Sequence, residues 1–145
     1  MNHHAAIINN ITIQNDVLQG TIFSPSLHQS FAIEIDPETA ATDPADFDDL
    51  IKELQQLIEH LTPDRLREME AAIASEITTS AYSQSDYAPT ADDFTALEKD
   101  LKLMKITAFP EGFSLEYIAE ANYPGNEIMV QLNRDFNMED VAIYD

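Results

Sequence analysis

The first third of the chain alternates apolar and polar positions at the period of a β-strand. Ile7, Ile11 and Ile13 share one parity, Asn15-Asp16 offers a turn, Val17 to Phe23 resumes the pattern, and Phe31, Ile33 and Ile35 alternate with Ala32 and Glu34. Three strands are predicted. A polar connector, Asp36 to Thr42, leads into a region of helical period. Asp43 reads as a cap, Pro44 takes the first helical position, where its missing N–H costs nothing, and Asp46 completes a capping-box-like arrangement. Phe47, Leu50, Ile51, Leu54, Leu57, Ile58 and Leu61 follow at steps of three and four, one continuous apolar stripe. Thr62-Pro63 repeats the cap-then-proline signal and opens a second helix with Leu66, Met69, Ile73 and Ile77 flanked by Ala71, Ala72 and Ala74. The two helices are expected to form a hairpin. Ser83 to Pro89 reads as a loop, and Thr90-Ala91-Asp92-Asp93 opens a third, shorter helix with Phe94, Leu97 and Leu101 inward.

From Leu103 onward the period returns to two. Met104 to Phe109, Phe113 to Ala119, Glu127 to Asn133 and Met138 to Tyr144 read as four strands. Their connections are Pro110-Glu111-Gly112, Tyr123-Pro124-Gly125-Asn126 and Arg134-Asp135-Phe136-Asn137. Turns this short imply an antiparallel meander. The expected fold is one α+β domain over residues 1–145. It comprises N-terminal antiparallel strands, a three-helix middle segment and a C-terminal four-stranded antiparallel meander packed on the helices.

Parity sorts the C-terminal strands into two faces. With Phe113, Leu115, Tyr117, Ile128, Val130, Leu132, Val141 and Ile143 toward the helices, the other face carries Glu116, Ile118, Glu120, Glu127, Met129, Asp140 and Tyr144. Ile118, Met129 and Tyr144 then form an apolar centre inside a carboxylate rim, as expected of an interface for a cationic partner. Two other covers are open to these residues: the N-terminal strands, or a second copy of the chain. A smaller anionic patch is expected from Asp48, Asp49 and Glu53 on the polar side of the first helix. The alternative for these acids is ordinary support of a helix N-terminus, with Asp48 and Lys52 as an i,i+4 pair.

Charge is the strongest compositional signal. The 145 residues hold 27 acids against 7 bases, a net charge of −20, and no cysteine. Nucleic acid and anionic membrane are disfavoured as direct ligands, because each would approach a repelling field. The absence of cysteine removes disulfides, thiolate zinc sites and cysteine nucleophiles. Leu, Ile, Val and Phe number 37, enough for a core, so disorder is not expected. Spread evenly over a body of this mass, the net charges would lie about 19 Å apart, beyond the ~8 Å screening length. Only clustering makes them functional. Residues 1–51 carry −8, residues 52–105 carry −5 and residues 106–145 carry −7, so the β-rich ends hold most of the charge.

Catalytic and cofactor chemistry is not indicated. Gly20, Gly112 and Gly125 are too scattered for a phosphate-cradling loop or dinucleotide fingerprint, and no serine elbow is present. His3, His4, His28 and His60 fall at no metal-binding spacing. His60 is expected in solvent near the first helix's C-terminus, where positive charge is favourable. Asp43, Asp46, Asp48 and Asp49 lack the turn glycine and closing glutamate of a calcium loop. No enzyme, metal or cofactor is expected. The start of the chain lacks the basic end and apolar middle of a signal peptide, and no apolar run approaches the ~20 residues of a membrane span. A cytoplasmic location is expected.

Thr90-x-x-x-Phe94, Leu101-x-Leu103 leading to Ile106, Gly112 in a turn, Tyr117, then Gly125 before Ile128-x-Val130 resembles small bacterial immunity proteins encoded beside polymorphic or contact-dependent toxins. The resemblance covers about residues 71–144. It departs from the group in lacking a tryptophan before the third helix, and Tyr123-Pro124-Gly125-Asn126 has asparagine where histidine is common. The resemblance implies a non-enzymatic protein that neutralises a cognate, cationic toxin domain, with a nuclease as the type such a surface fits. Two alternatives stand beside it: an acidic nucleic-acid mimic or other cytosolic binding module, and a domain whose acidity serves solubility. A homo-oligomer is open in each.

Overall fold

The structure is a computed structural model, and it describes residues 8–82 and 88–144. The expectations at His3, His4 and Ile7, and for the loop over residues 83–87, lie outside the described residues. Three strands come first: β1 (Ile8–Gln14), β2 (Val17–Ser24) and β3 (Gln29–Ile35). A 3-10 turn over Pro44–Phe47 precedes helices α1 (Asp48–His60), α2 (Pro63–Tyr82) and α3 (Ala91–Asp100). Strands β4 (Lys102–Phe109), β5 (Gly112–Ala119), β6 (Tyr123–Asn133) and β7 (Met138–Tyr144) follow.

The expected fold is corrected in how these strands assemble. Among the described residues the C-terminal meander is not separate; all seven strands form one mixed sheet in the order β1-β2-β3-β4-β5-β6-β7. Neighbours pair antiparallel except β3 and β4, which run parallel with Ala32 opposite Lys105 and Ile35 opposite Ala108. A parallel pair cannot be joined by a tight turn, and here the whole helical segment is the crossover. Asp36 extends the junction by donating its N–H to the Ala108 carbonyl at 2.9 Å.

Burial follows from strand parity once the sheet is continuous. Leu18, Ile22, Ile33, Ile106, Leu115, Tyr117, Ile128 and Val130 are almost wholly buried and face the helices. Leu54, Leu57, Ile58, Ile73, Ile77 and Leu97 come down on them from the other side. α1 lies against β4, α2 against β7 and α3 against β5. The expected hairpin of α1 and α2 is replaced by close packing of α2 on α3. In β1 the register shifts between Asn9 and Thr12, with Asn10 at φ 57°. This bulge puts Ile8 and Ile13 on the core side opposite Ile22 and Leu18, and leaves Ile11 exposed, contrary to the shared parity of Ile11 and Ile13.

The caps act largely through carboxylates. Asp46 accepts the backbone N–H groups of Thr42 and Asp43 at 3.1 and 3.0 Å. Those bonds, the one from Asp43 foremost, hold its pKa below the usual carboxylate value. Thr90 and Asp93 exchange bonds at the start of α3, Thr90 N–H to the Asp93 carboxylate at 2.8 Å and Asp93 N–H to the Thr90 hydroxyl at 3.3 Å. Asp100, at the end of α3, accepts from Asn122 Nδ2 at 2.9 Å and from the N–H groups of Ala121 and Asn122 at 3.0 and 2.9 Å. It thereby fixes the β5–β6 turn at 120–122, and Tyr123 to Asn126 belong to β6 rather than to a turn.

Candidate functional site

The helices cover one face of the sheet and leave the other open. The N-terminal strands, offered above as one possible cover for Ile118, Met129 and Tyr144, lie edge to edge with β4 in the same sheet and extend that open face. One row across it reads Thr21, Ala32, Lys105, Glu116, Met129, Ala142, each opposite the next on adjacent strands. The next row reads Gln19, Glu34, Thr107, Ser114, Gln131, Asp140. Glu127 stands opposite Tyr144, and Ile118 opposite Lys102.

The sequence-predicted residues are therefore only partly brought together. Glu116, Ile118 and Met129 are half-buried on this face, and Glu127, Asp140 and Tyr144 are exposed on it, with Tyr144 55% accessible. Glu120 falls beyond the end of β5, in the turn, and does not share the face. Glu53, expected on an open anionic patch, is partly covered because it pairs with Arg134 from the β6–β7 turn. Asp48 and Asp49 are exposed in the first turn of α1, on the helical side of the molecule and away from the open face.

Three features of the face were not read from the sequence. Phe23, opposite in parity to buried Ile22, is 45% exposed. Met104 sits at the bulge between Leu103 and Lys105 and is also exposed. Lys102 and Lys105 carry positive charge into a face read as acidic. Lys105 Nζ donates to Glu34 Oε1 at 2.7 Å, and Gln19 Nε2 donates to the same oxygen at 3.2 Å. Glu34 is thus engaged, and the carboxylates left at the β6–β7 side are Glu127 and Asp140. The alternation of β2 was the signal that could have found Phe23; nothing local marks Met104, because a bulge decides its exposure.

His60 also departs from expectation. Its ring packs on Phe136 with centroids 4.9 Å apart, and its Nδ1 accepts from Arg65 Nη1 at 3.0 Å. Burial first, then the Arg65 charge, lower its pKa.

Under the sheet, Tyr117 is fully buried, and its hydroxyl has no partner in good hydrogen-bond geometry. The Glu70 carboxyl of α2 faces it closely enough to couple the two titrations. Burial drives the Glu70 pKa up to about 7; the Tyr117 hydroxyl opposes this and Glu98 of α3 adds to it. Burial likewise raises Tyr117 well above its usual value, with Glu70 adding to the effect. Among the described residues no group of three or more His, Cys, Asp or Glu side chains is arranged to hold a metal ion. No described helix is long and apolar enough to cross a membrane.

Comparison with protein-family models, curated proteins and solved structures gave no match.

Proposed function

We propose that this protein is a non-enzymatic binding module that occludes a cationic protein partner, in the manner of an immunity protein that neutralises a toxin domain. The observation that carries the reading is the uncovered sheet face, where Met129, Ile118 and Tyr144 stand beside Glu116, Glu127 and Asp140. Apolar anchors ringed by charge are what protein interfaces use: the anchors slow release, and the field speeds encounter. A net charge of −20 supplies that field for a basic partner and repels nucleic acid. A mimic of nucleic acid would present a long stripe of carboxylates; Lys102, Lys105 and the Glu34 ion pair interrupt any such stripe on this face.

The test uses a basic effector domain captured by the full chain in a pull-down. Its association with the full chain is expected to slow about tenfold or more between 50 and 500 mM salt. Met129→Ala and Tyr144→Ala are expected to speed dissociation with little change in association. Association that is equally fast at low and high salt overturns the electrostatic half. Dissociation unmoved by both substitutions overturns the choice of face.

A further inference from the structure

An open sheet ends in two edge strands, and the two edges here differ. β1 is bulged, with Asn10 at φ 57°, so its outer row of backbone groups is interrupted. β7 pairs with β6 on its inner side and, among the described residues, has no strand beyond it. Its register is irregular only near Met138; from Asp140 to Tyr144 the pairing is continuous. That stretch contains neither lysine nor proline, two residues that natural sheets use to block an edge.

α2 runs beside this edge, and the seam between them holds two clefts. One of about 370 Å³ is lined by Met69, Ala72 and Met138 with Arg65, Glu68 and Phe136 among its walls. The other, about 330 Å³, is lined by Ile77, Ala81, Val141 and Ile143 with Glu76 and Tyr123. The linings advance together along both elements, so the clefts follow the strand. Val141 and Ile143 have core parity, yet Val141 is half-buried and Ile143 is 39% exposed. Their outer sides have the surroundings of a sheet that stops one strand short.

We propose that the β7 edge and the α2 seam take up an extended segment of a cationic protein by strand addition. The segment's backbone pairs with β7, and its alternate apolar side chains enter the two clefts. Lys or Arg on its other side meets Asp140, while Glu68 and Glu76 flank the clefts. Charge selects the occupant. A second copy of this chain would bring another −20 onto an edge that already carries Glu139 and Asp140, whereas a basic strand relieves them. The proposal rests on the cationic-partner reading for the sign of the charge and adds how that partner docks.

The probe is a capped peptide of alternating valine and lysine, with a valine–glutamate peptide as its counterpart. The full chain is expected to bind the lysine peptide at least tenfold more tightly. Bound peptide should slow amide exchange of residues 140–144 tenfold or more. Ala72 and Ala81 are exposed, so Ala72→Phe with Ala81→Phe fills the clefts without disturbing the core; this double variant should lose tenfold in peptide affinity, while Met129→Glu should not. Equal binding of both peptides, unchanged binding by the filled variant, or loss in Met129→Glu alone overturns the proposal. So does self-association of the protein that the filled variant abolishes, because the occupant is then a second copy. If the peptide fails while the effector domain still binds through Met129, strand addition falls and the open-face reading stands; the converse result removes only the open face.

Discussion

Replacing Glu70 by glutamine isolates a pH dependence built into the layer between the helices and the sheet. Glu70 faces Tyr117 and Glu98, and burial raises its pKa from an ordinary 4.5 to about 7. A carboxyl with a raised folded-state pKa is protonated in the native protein and ionised in the unfolded chain between those two values. The native state then binds more protons, so stability falls as pH rises from about 4.5 to 7 and is level above that window. Taken at face value the interval is worth about 3 kcal/mol, but the carboxyl keeps contact with water and screening brings the expectation to about 1–2 kcal/mol. Urea unfolding of the parent chain and of Glu70→Gln at intervals from pH 4.5 to 8.5 measures it. Glutamine does not titrate, so the variant should gain about 1–2 kcal/mol on the parent across the window, while the other carboxylates cancel in the difference. Glu98→Gln should lower the upper end of the window, because it removes a repelling charge. Tyr117→Phe should raise it, because it removes the hydroxyl that favours ionised Glu70. A parent-minus-variant difference that is flat across the window would show that Glu70 does not titrate there.

Gly112→Ala should cost several times more than Gly125→Ala. A Cβ at Gly112 would lie 2.1 Å from the Leu132 carbonyl oxygen, whereas at Gly125, with φ 78°, it would meet nothing within 4 Å; the second should cost only the ~1–2 kcal/mol of left-handed backbone, and near-equal losses in urea unfolding would contradict this. Asp100→Ala should lower the melting temperature by freeing the 120–122 turn. The bond from Asn122 leads in depressing the Asp100 pKa, so its contribution is present above the ordinary carboxylate pKa and lost as pH falls through the folded value. The gap between parent and variant melting temperatures should therefore narrow in acid; a constant gap would argue that the carboxylate's charge is immaterial.

Local signals were readable where one residue decides the outcome. Thr90 with Asp93, and the apolar stripe from Leu50 to Leu61, could be read as helix because caps and 3.6-residue periodicity act within a few residues. Strand parity placed Leu115, Tyr117, Ile128 and Val130 on the core side for the same reason. The joining of the two strand groups was not readable, because the pairing of Ala32 with Lys105 spans the helices and leaves no local mark. Short turns argued for antiparallel neighbours and said nothing about β3 and β4. The candidate site follows the same rule: Glu53 is engaged by Arg134, distant in the chain, and Glu120 has the parity of the face but lies in the turn that Asp100 fixes. The raised titration of Glu70 had no sequence signal, since it arises only where α2, α3 and β5 meet.

The parallel pairing of β3 with β4 also determines the order in which this sheet can be assembled. β1 to β3 and β4 to β7 are each ribbons of neighbours in sequence, able to zip up locally. Uniting them closes a loop of roughly 70 residues, at an entropic cost of about 4 kcal/mol beyond a constant. The Lys105–Glu34 ion pair sits across the line where they join. Formation of that line is thus expected to be the late, cooperative step of folding. Its amides should exchange only when the whole molecule opens, whereas β1 and β7 fray on their own. Because the β7 edge lies three strands away from that line, it can take on an incoming strand without disturbing the junction.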